Sequence, residues 1–138
     1  MKKFETSQLR NVCLLSHGGV GKTSLMEAAS FTSKGTSKLG KVGNGSSIFD
    51  WRPDELERKM TISMKLGCCE WKDVKINFLD TPGFLDLQGD AKAALRVVES
   101  AALLVSAQDG VQVGTEIMGR FIEELSLPHM FFINGMDK

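Results

Sequence analysis

The chain lacks a net charge, a long apolar run and more than a few cysteines, and each absence narrows the class of protein. Its 17 basic and 17 acidic residues cancel to a net charge of +0, so composition provides no overall basic surface for nucleic acid. The Met1-Lys2-Lys3 start lacks the apolar stretch of a signal peptide, and no run reaches membrane-spanning length. These absences predict a cytoplasmic location, with no membrane partner and no direct nucleic-acid footprint.

Cysteines are few and poorly placed for chemistry. Cys13 lies in one apolar run, and the neighbours Cys68 and Cys69 lie in another segment. Adjacent strand residues face opposite sides, so this pair would make a poor chelate and a strained disulfide. We therefore expect reduced thiols that pack as small apolar groups. With 138 residues, 42% of them hydrophobic, the chain can build one core and hence one domain, residues 1–138.

A glycine-rich segment follows the first apolar run and carries the strongest signal. Residues 16–24 read SHGGVGKTS, which departs from the pattern G-x-x-x-x-G-K-[ST] only in having Ser16 at the first glycine. Such a turn, leaving a strand and opening a helix, aims backbone N–H groups at phosphate, while Lys22 adds a charge and Thr23 a Mg²⁺ ligand. The residues predicted to contact nucleotide here are His17, Gly18, Gly19, Val20, Gly21, Lys22, Thr23 and Ser24. The alternatives are a turn that merely connects strand to helix and, for His17, a residue packed beneath the loop.

Two further motifs follow apolar runs. Asp80 opens the sequence Asp80-Thr81-Pro82-Gly83 and can hold Mg²⁺ through water, as a Walker B aspartate does. The segment Asn134-Gly135-Met136-Asp137 ends with a carboxylate that could accept both N–H groups of a guanine edge, while Asn134 would brace the neighbouring loops. Each motif is weak alone, but their order along the chain predicts P-loop binding of a guanine nucleotide.

Apolar periodicity predicts alternating strands and helices. The predicted strands are 12–16, Val74–Asp80, 101–107 and His129–Asn134, and the predicted helices are 22–31, 87–99 and 113–126. Alternation of Ile62, Met64, Leu66 and Cys68 indicates a half-buried strand, which Lys72-Asp73 would turn into a hairpin with the next one. Residues 35–47, rich in Gly, Ser, Thr and Lys, predict a mobile loop. The expected fold is an α/β P-loop NTPase: a mostly parallel sheet, helices on both faces, and one antiparallel edge hairpin.

The order of GKTS, DTPG and NGMD resembles the translational GTPases, and the text between them resembles elongation factor G. Asp50-Trp51 and the run 57–62 (ERKMTI) are similar to the D-W-x…E-R-G-I-T-I pattern of its first switch region. Residues 110–116, with GVQ followed by TE, are similar to its G-V-Q-x-x-[ST]-E segment. The resemblance implies a Ras-like G domain that binds GTP or GDP with Mg²⁺, and a ribosome partner for the complete protein.

The resemblance also assigns roles and shows departures. It implies that Thr61 completes the Mg²⁺ shell with Thr23 and Asp80, and that the Gly83 amide contacts the γ-phosphate. Phe84, however, stands where the family carries the histidine that orients the attacking water, so no catalytic residue is assigned and slow hydrolysis is expected. Gly19 replaces a frequent aspartate of the loop. Gly135 replaces the lysine of N-K-x-D, which should weaken affinity without changing base choice.

The sequence leaves three functions open. The first is the GTP-binding domain of an elongation factor G-like factor that hydrolyses GTP on the ribosome. The second is a nucleotide-binding switch or interaction module with little hydrolysis, and the third is an unrelated P-loop ATPase. Because family members continue beyond the position of Lys138, we expect a G domain truncated before its last strand and helix, with ribosome contacts in missing domains. We also expect His129–Asn134 to behave as an unpaired, self-associating edge strand.

Overall fold

A five-stranded sheet runs through the part of the chain that the computed structural model describes, residues 3–137. Its strands are β1 (Leu9–Leu15), β2 (Lys65–Trp71), β3 (Val74–Asp80), β4 (Ser100–Ser106) and β5 (His129–Asn134), in the spatial order β2-β3-β1-β4-β5. The pairs β1–β3, β1–β4 and β4–β5 are parallel, and β2–β3 is antiparallel. The predicted mostly parallel sheet with one antiparallel edge hairpin is therefore confirmed.

Helices cover both faces of this sheet. They are α1 (Lys22–Thr32), α2 (Pro53–Arg58), α3 (Gln88–Leu95) and α4 (Val113–Glu124). Helix α1 contacts β2 and β3, whereas α3 and α4 contact β1, β4 and each other. The predicted helix 87–99 was too long, because the chain forms a 3₁₀ turn before Gln88 and leaves the helix after Leu95. Helix α2 was not predicted, since its six residues are too few to show a 3.6-residue period.

Alternate residues of the central strands serve two cores. Cys13 and Leu15 of β1 and Leu103 of β4 pack with α3 and α4. Leu14 of β1 and Leu104 of β4 point the other way and pack with Met26 of α1. A strand buried on both faces must be apolar at successive positions, and this explains the continuous apolar runs in the sequence. These two cores hold rigid the strand ends from which the functional loops emerge.

Strand β2 corrects one sequence-based expectation. The alternating set from Ile62 to Cys68 does indicate a strand, but that strand begins only at Lys65, and Leu66 is 70% exposed. Gly67 and Cys69 form its buried side. A Cβ at Gly67 would lie only 2.5 Å from the Met26 sulfur, so the glycine lets α1 approach the strand. Cys68 and Cys69 do face opposite sides, and the three cysteines are free.

The hairpin turn lies where the sequence placed it. Lys72 and Asp73 connect β2 to β3, with φ values of 47° and 62°. Two successive residues in the left-handed region match the right-handed twist of an antiparallel pair, as in a type I′ turn. No regular element forms in the predicted loop 35–47. Within residues 3–137, none of the helices combines the length and apolarity required to cross a bilayer.

Candidate functional site

A cavity of about 310 Å³ opens at the carboxyl ends of β1 and β3. In parallel α/β sheets this edge is where loops converge and ligands bind. Its lining combines the glycine-rich loop, the loop 35–47, the segment before β2 and the turn after β3. The lining residues are Gly18, Gly19, Gly21, Lys22, Thr23, Ser24, Val42, Gly43, Lys59, Met60, Thr61, Gly83 and Phe84. The structure thus brings the first two motifs and Thr61 into one site.

Lys22 is the charged group at the base of this site. As the first residue of α1 it is only 6% exposed, and its Nζ donates to Ser16 Oγ at 2.8 Å and more weakly to the His17 carbonyl at 3.4 Å. Burial lowers the pKa of Lys22, and the nearby Asp80 carboxylate partly opposes that shift. The ammonium therefore rests on neutral oxygens of the loop, so anionic phosphate oxygens would be stronger partners for it.

Asp80 lies beside that lysine and is hydrogen-bonded to Thr23, whose hydroxyl in turn lies near that of Thr61. Its side chain has no exposed surface; Oδ2 accepts a 2.5 Å hydrogen bond from Thr23 Oγ1, which lies 3.3 Å from Thr61 Oγ1. Oδ1 of Asp80 has no hydrogen-bond partner among the described residues. Burial raises the pKa of Asp80 to about 6, against the opposing effects of Thr23 and Lys22. A buried carboxylate oxygen without a partner, beside two hydroxyls, is the donor set that a hard divalent cation prefers.

The turn after β3 forms one wall of the cavity and packs against the glycine-rich loop. A Cβ at Gly83 would lie 2.5 Å from Lys22 Nζ and 2.8 Å from Gly18 Cα, so the turn touches the glycine-rich loop backbone to backbone. The Phe84 ring follows and covers Gly18, leaving less than 3 Å for any Cβ at that position. Phe84 is 41% exposed and lines the cavity. A hydrocarbon ring therefore forms this part of the cavity wall.

The third motif is only partly joined to this site. Asn134 Nδ2 donates to the Val20 carbonyl at 2.7 Å and blocks any side chain at Gly21, whose φ is 103°. Asn134 thus braces the loop, as the sequence suggested. Asp137 is exposed on the turn after β5 and does not line the cavity.

Two other residues of the glycine-rich loop also lie off the cavity. The Val20 side chain is buried in the core beside Met26. His17 is half-buried against Gly114 at the start of α4, in agreement with the packing alternative.

Two contributors were missed by sequence reasoning. Ser16, noted only as a departure from the pattern, uses its hydroxyl to hold Lys22. Thr81 donates from Oγ1 to the Leu14 carbonyl at 2.8 Å, which ties the end of β3 to β1 and fixes Asp80 beside the loop. The Thr81 role could have been suspected, because a buried threonine directly after a parallel strand needs a hydrogen-bond partner.

Comparison with known proteins gives the class first. The profile described as "Elongation factor Tu GTP binding domain" matches residues 7–138. The chain belongs to this family, and it therefore carries a guanine-nucleotide-binding domain of a translational GTPase. The alternative of an unrelated P-loop ATPase is therefore not favoured.

Individual relatives confirm the resemblance to elongation factor G. Elongation factor G 2 of Borreliella burgdorferi is 36% identical over 130 residues, which cover 94% of this chain and 19% of that protein. Elongation factor G 1 of Geobacter sulfurreducens is 36% identical over 138 residues, or 100% of this chain and 20% of that protein. The chain thus spans about one fifth of the length of these relatives.

Solved structures agree on the fold. A protein from Thermus thermophilus superposes with a TM-score of 0.88 and 32% identity, covering 92% of this chain and 19% of that one. Translation elongation factor SelB from Methanococcus maripaludis, in complex with the GTP analogue GppNHp, gives a TM-score of 0.70 at 17% identity, over 99% of this chain and 25% of that one. The second likeness supports the fold alone.

Proposed function

We propose that residues 1–138 form a GTP-binding domain that binds GTP and GDP with Mg²⁺ and belongs to a larger elongation factor G-like protein. The observation that carries the proposal is the cluster of Thr23, Asp80 and Thr61 beside Lys22. It supplies oxygen donors for a cation next to a buried ammonium for phosphate. The fold alone explains neither group, because burial disfavours the charged form of both. It raises the pKa of Asp80 and lowers the pKa of Lys22.

Different residues of the site would bind the phosphates and the Mg²⁺ ion of the nucleotide. Backbone N–H groups of Gly18, Gly19 and Gly21 and the Lys22 ammonium would bind the β- and γ-phosphates, with Gly83 approaching from above. Thr23, Thr61 and Asp80 fit Mg²⁺ by chemistry, since each offers oxygen and no soft ligand. When bound, Mg²⁺ supplies charge that neutralises phosphate oxygens.

The base would lie beyond the cavity, at the end of β5. Asp137 is proposed to accept hydrogen bonds from guanine, and Asn134 to steady the loop beside it. The remaining proposed contacts, at His17, Val20 and Ser24, would come from the backbone or the rim of the loop.

Hydrolysis is proposed to be slow in this chain. A phenyl ring neither accepts nor donates a proton, and Phe84 occupies the cavity wall where water would be oriented. Binding does not depend on that group, so a nucleotide-dependent switch with little turnover is the second candidate function, favoured by the Phe84 position. A ribosome partner and a cytoplasmic location belong to the proposal for the complete protein, and both rest on the similarity to elongation factor G.

A titration with matched variants tests the binding proposal. Lys22→Ala should lower the affinity for both GDP and GTP by at least about tenfold, because both carry the phosphates that Lys22 would contact. Thr23→Ala should mainly weaken the Mg²⁺ dependence of binding. Lys38→Ala, which removes an exposed lysine outside the cavity, is the control. Calorimetry should show the loss only at Lys22 and Thr23; equal affinity in all variants would leave the loop a structural turn.

A further inference from the structure

The segment that carries Thr61 needs an attachment to the body of the protein. Residues 48–64 contain α2 but add no strand to the sheet, yet they bring Lys59, Met60 and Thr61 to the cavity. The hydrogen bond from Arg52 to Ser63 joins two parts of the segment itself, and the bond from Met64 N–H to Asp90 lies on the exposed surface. Thr61 itself has a long contact with the body of the protein, at 3.3 Å from the Thr23 hydroxyl, and the shorter attachments of the segment are buried.

The first buried attachment is Glu27 of α1, which has no exposed surface. One of its carboxylate oxygens accepts from Ser47 Oγ at 2.5 Å and from the Ile48 N–H at 2.7 Å. The other accepts from the Gly40 N–H at 3.3 Å. Glu27 thus fixes the beginning of the segment, and its hydrogen bonds go to Gly40, Ser47 and Ile48 rather than to the far end, where Thr61 lies.

The second attachment is Lys65, the first residue of β2. Its Nζ lies 2.6 Å from Asp50 Oδ1, at the start of the segment, and forms an ion pair at 2.8 Å with Glu55 Oε2, in α2. These side chains are 9%, 9% and 1% exposed. Glu55 Oε1 in turn accepts from the backbone N–H groups of Ile62, at 2.8 Å, and Ser63, at 3.3 Å.

One lysine therefore links both ends of the segment. Asp50 anchors the start of the segment. Glu55 binds Lys65 with one carboxylate oxygen and the N–H of Ile62, the residue after Thr61, with the other. Burial acts to lower the pKa of Lys65, but its interactions with Asp50 and Glu55 outweigh burial and keep that pKa above the ordinary value. The lysine stays charged, and two buried carboxylates depend on it for a counter-charge.

We infer that Lys65 is a positioning residue which, through Asp50 and Glu55, holds Thr61 at the cation side of the cavity. The inference rests on the proposed function and deepens it. A segment already in place favours the ligand whose γ-phosphate uses Thr61, namely GTP over GDP. Loss of the lysine should therefore reduce selectivity for the triphosphate more than it reduces overall binding.

Lys65→Met tests this by removing the charge while keeping the length of the side chain. With Mg²⁺ present, affinity for GppNHp should fall about tenfold relative to wild type, a typical coupling, while GDP affinity changes less than about threefold. Lys38→Met, at an exposed position outside the cavity, should leave the ratio unchanged. Circular dichroism and thermal melting would establish that each variant is folded.

A second variant distinguishes positioning from a direct electrostatic effect of Lys65 on Asp80. These two residues lie opposite each other in the antiparallel β2–β3 pair. Asp50→Asn keeps the Lys65 charge but removes one of its two attachments, so it should shift the nucleotide ratio in the same direction. If Lys65→Met fails to fold, Asp50→Asn carries the test. Folded variants that keep the wild-type ratio, or lose GppNHp and GDP equally, would overturn the inference.

A ligand-free readout makes the outcome independent of the proposed function. Trp51 lies within the segment and is 72% exposed; Trp71 is the second tryptophan, so a Trp71→Phe background isolates Trp51. Fluorescence anisotropy of Trp51 should fall in Lys65→Met and stay constant in Lys38→Met. Wild-type protein that binds neither nucleotide would refute the proposed function, whereas unchanged anisotropy would refute the role of Lys65.

Discussion

Replacing Asp80 by asparagine should stabilise the ligand-free protein at neutral pH while weakening its use of Mg²⁺. Asp80 is fully buried, keeps one oxygen without a partner among the described residues, and has its pKa raised from the ordinary 3.8 to about 6. A carboxyl whose pKa is higher in the folded state binds more protons there than in the unfolded state. Its ionisation therefore lowers the free energy of unfolding as pH rises through the window from about 4 to 6.

The magnitude follows from the two pKa values. A difference of about 2 units corresponds to about 3 kcal/mol of destabilisation above pH 6, and none below pH 4. Asparagine keeps an oxygen for the Thr23 hydroxyl but buries an N–H₂ group, which costs about 1 kcal/mol or more, so the expected net gain at pH 7.5 is at most about 2 kcal/mol.

Urea unfolding of ligand-free wild type and Asp80→Asn at pH 4 and pH 7.5 measures this directly. The variant should be more stable at pH 7.5, and its stability relative to wild type should be about 3 kcal/mol lower at pH 4, where Asp80 is protonated but the cost of the buried N–H₂ group remains. A difference that is the same at both pH values, or a less stable variant at pH 7.5, would refute the reasoning from burial. The same variant should lose the Mg²⁺ dependence of GDP binding, because the cation would no longer find a carboxylate.

Three further predictions concern other parts of the molecule. In the complete protein, Phe84→His should raise ribosome-stimulated GTP turnover above a wild-type intrinsic rate of about 10⁻³ s⁻¹ or below, and wild type already turning over at the variant's stimulated rate would contradict the argument from Phe84. Glu27→Ala should cost about 3 kcal/mol and speed backbone hydrogen exchange at residues 40–48, whereas Glu27→Gln should cost roughly half of that, because its amide oxygen still accepts from Ser47 and Ile48. Iodoacetamide at pH 8 should label the exposed Cys68 in the folded protein and spare Cys13, whose pKa burial raises to about 12; mass spectrometry showing labelled Cys13 under those conditions would be inconsistent with the packed core.

The sequence predicts the parts of this structure that depend on local chemistry. Strands β3 and β5 end where the apolar runs end, and α1 begins at Lys22, because a glycine-rich turn and a following periodic run leave few alternatives. The gathering of Lys22, Thr23 and Asp80 also follows, since parallel strands deliver their carboxyl ends to one edge.

Contacts made at long range were not predictable in the same way. Nothing near Lys65 in the sequence indicates that it will meet Asp50 and Glu55, because that meeting depends on the path of residues 48–64 over the sheet. The prediction that Leu66 lies on the buried side of β2 was likewise wrong. Gly67 faces the core instead, because Met26 of a distant helix packs against it. Tertiary packing overrides the local alternation at such positions.

The Asn134 amide has a consequence for how variants of this site should be interpreted. Because its Nδ2 is bonded to the Val20 carbonyl and lies against Gly21, the end of β5 and the phosphate loop are mechanically one part. A substitution at Asn134 would loosen the grip on phosphate even if the base were never recognised there. Loss of GTP binding in such a variant therefore does not measure base selectivity. Base selectivity would be measured only by a change in the ratio of affinities for guanine and another nucleotide base, with the contribution of the phosphates unchanged.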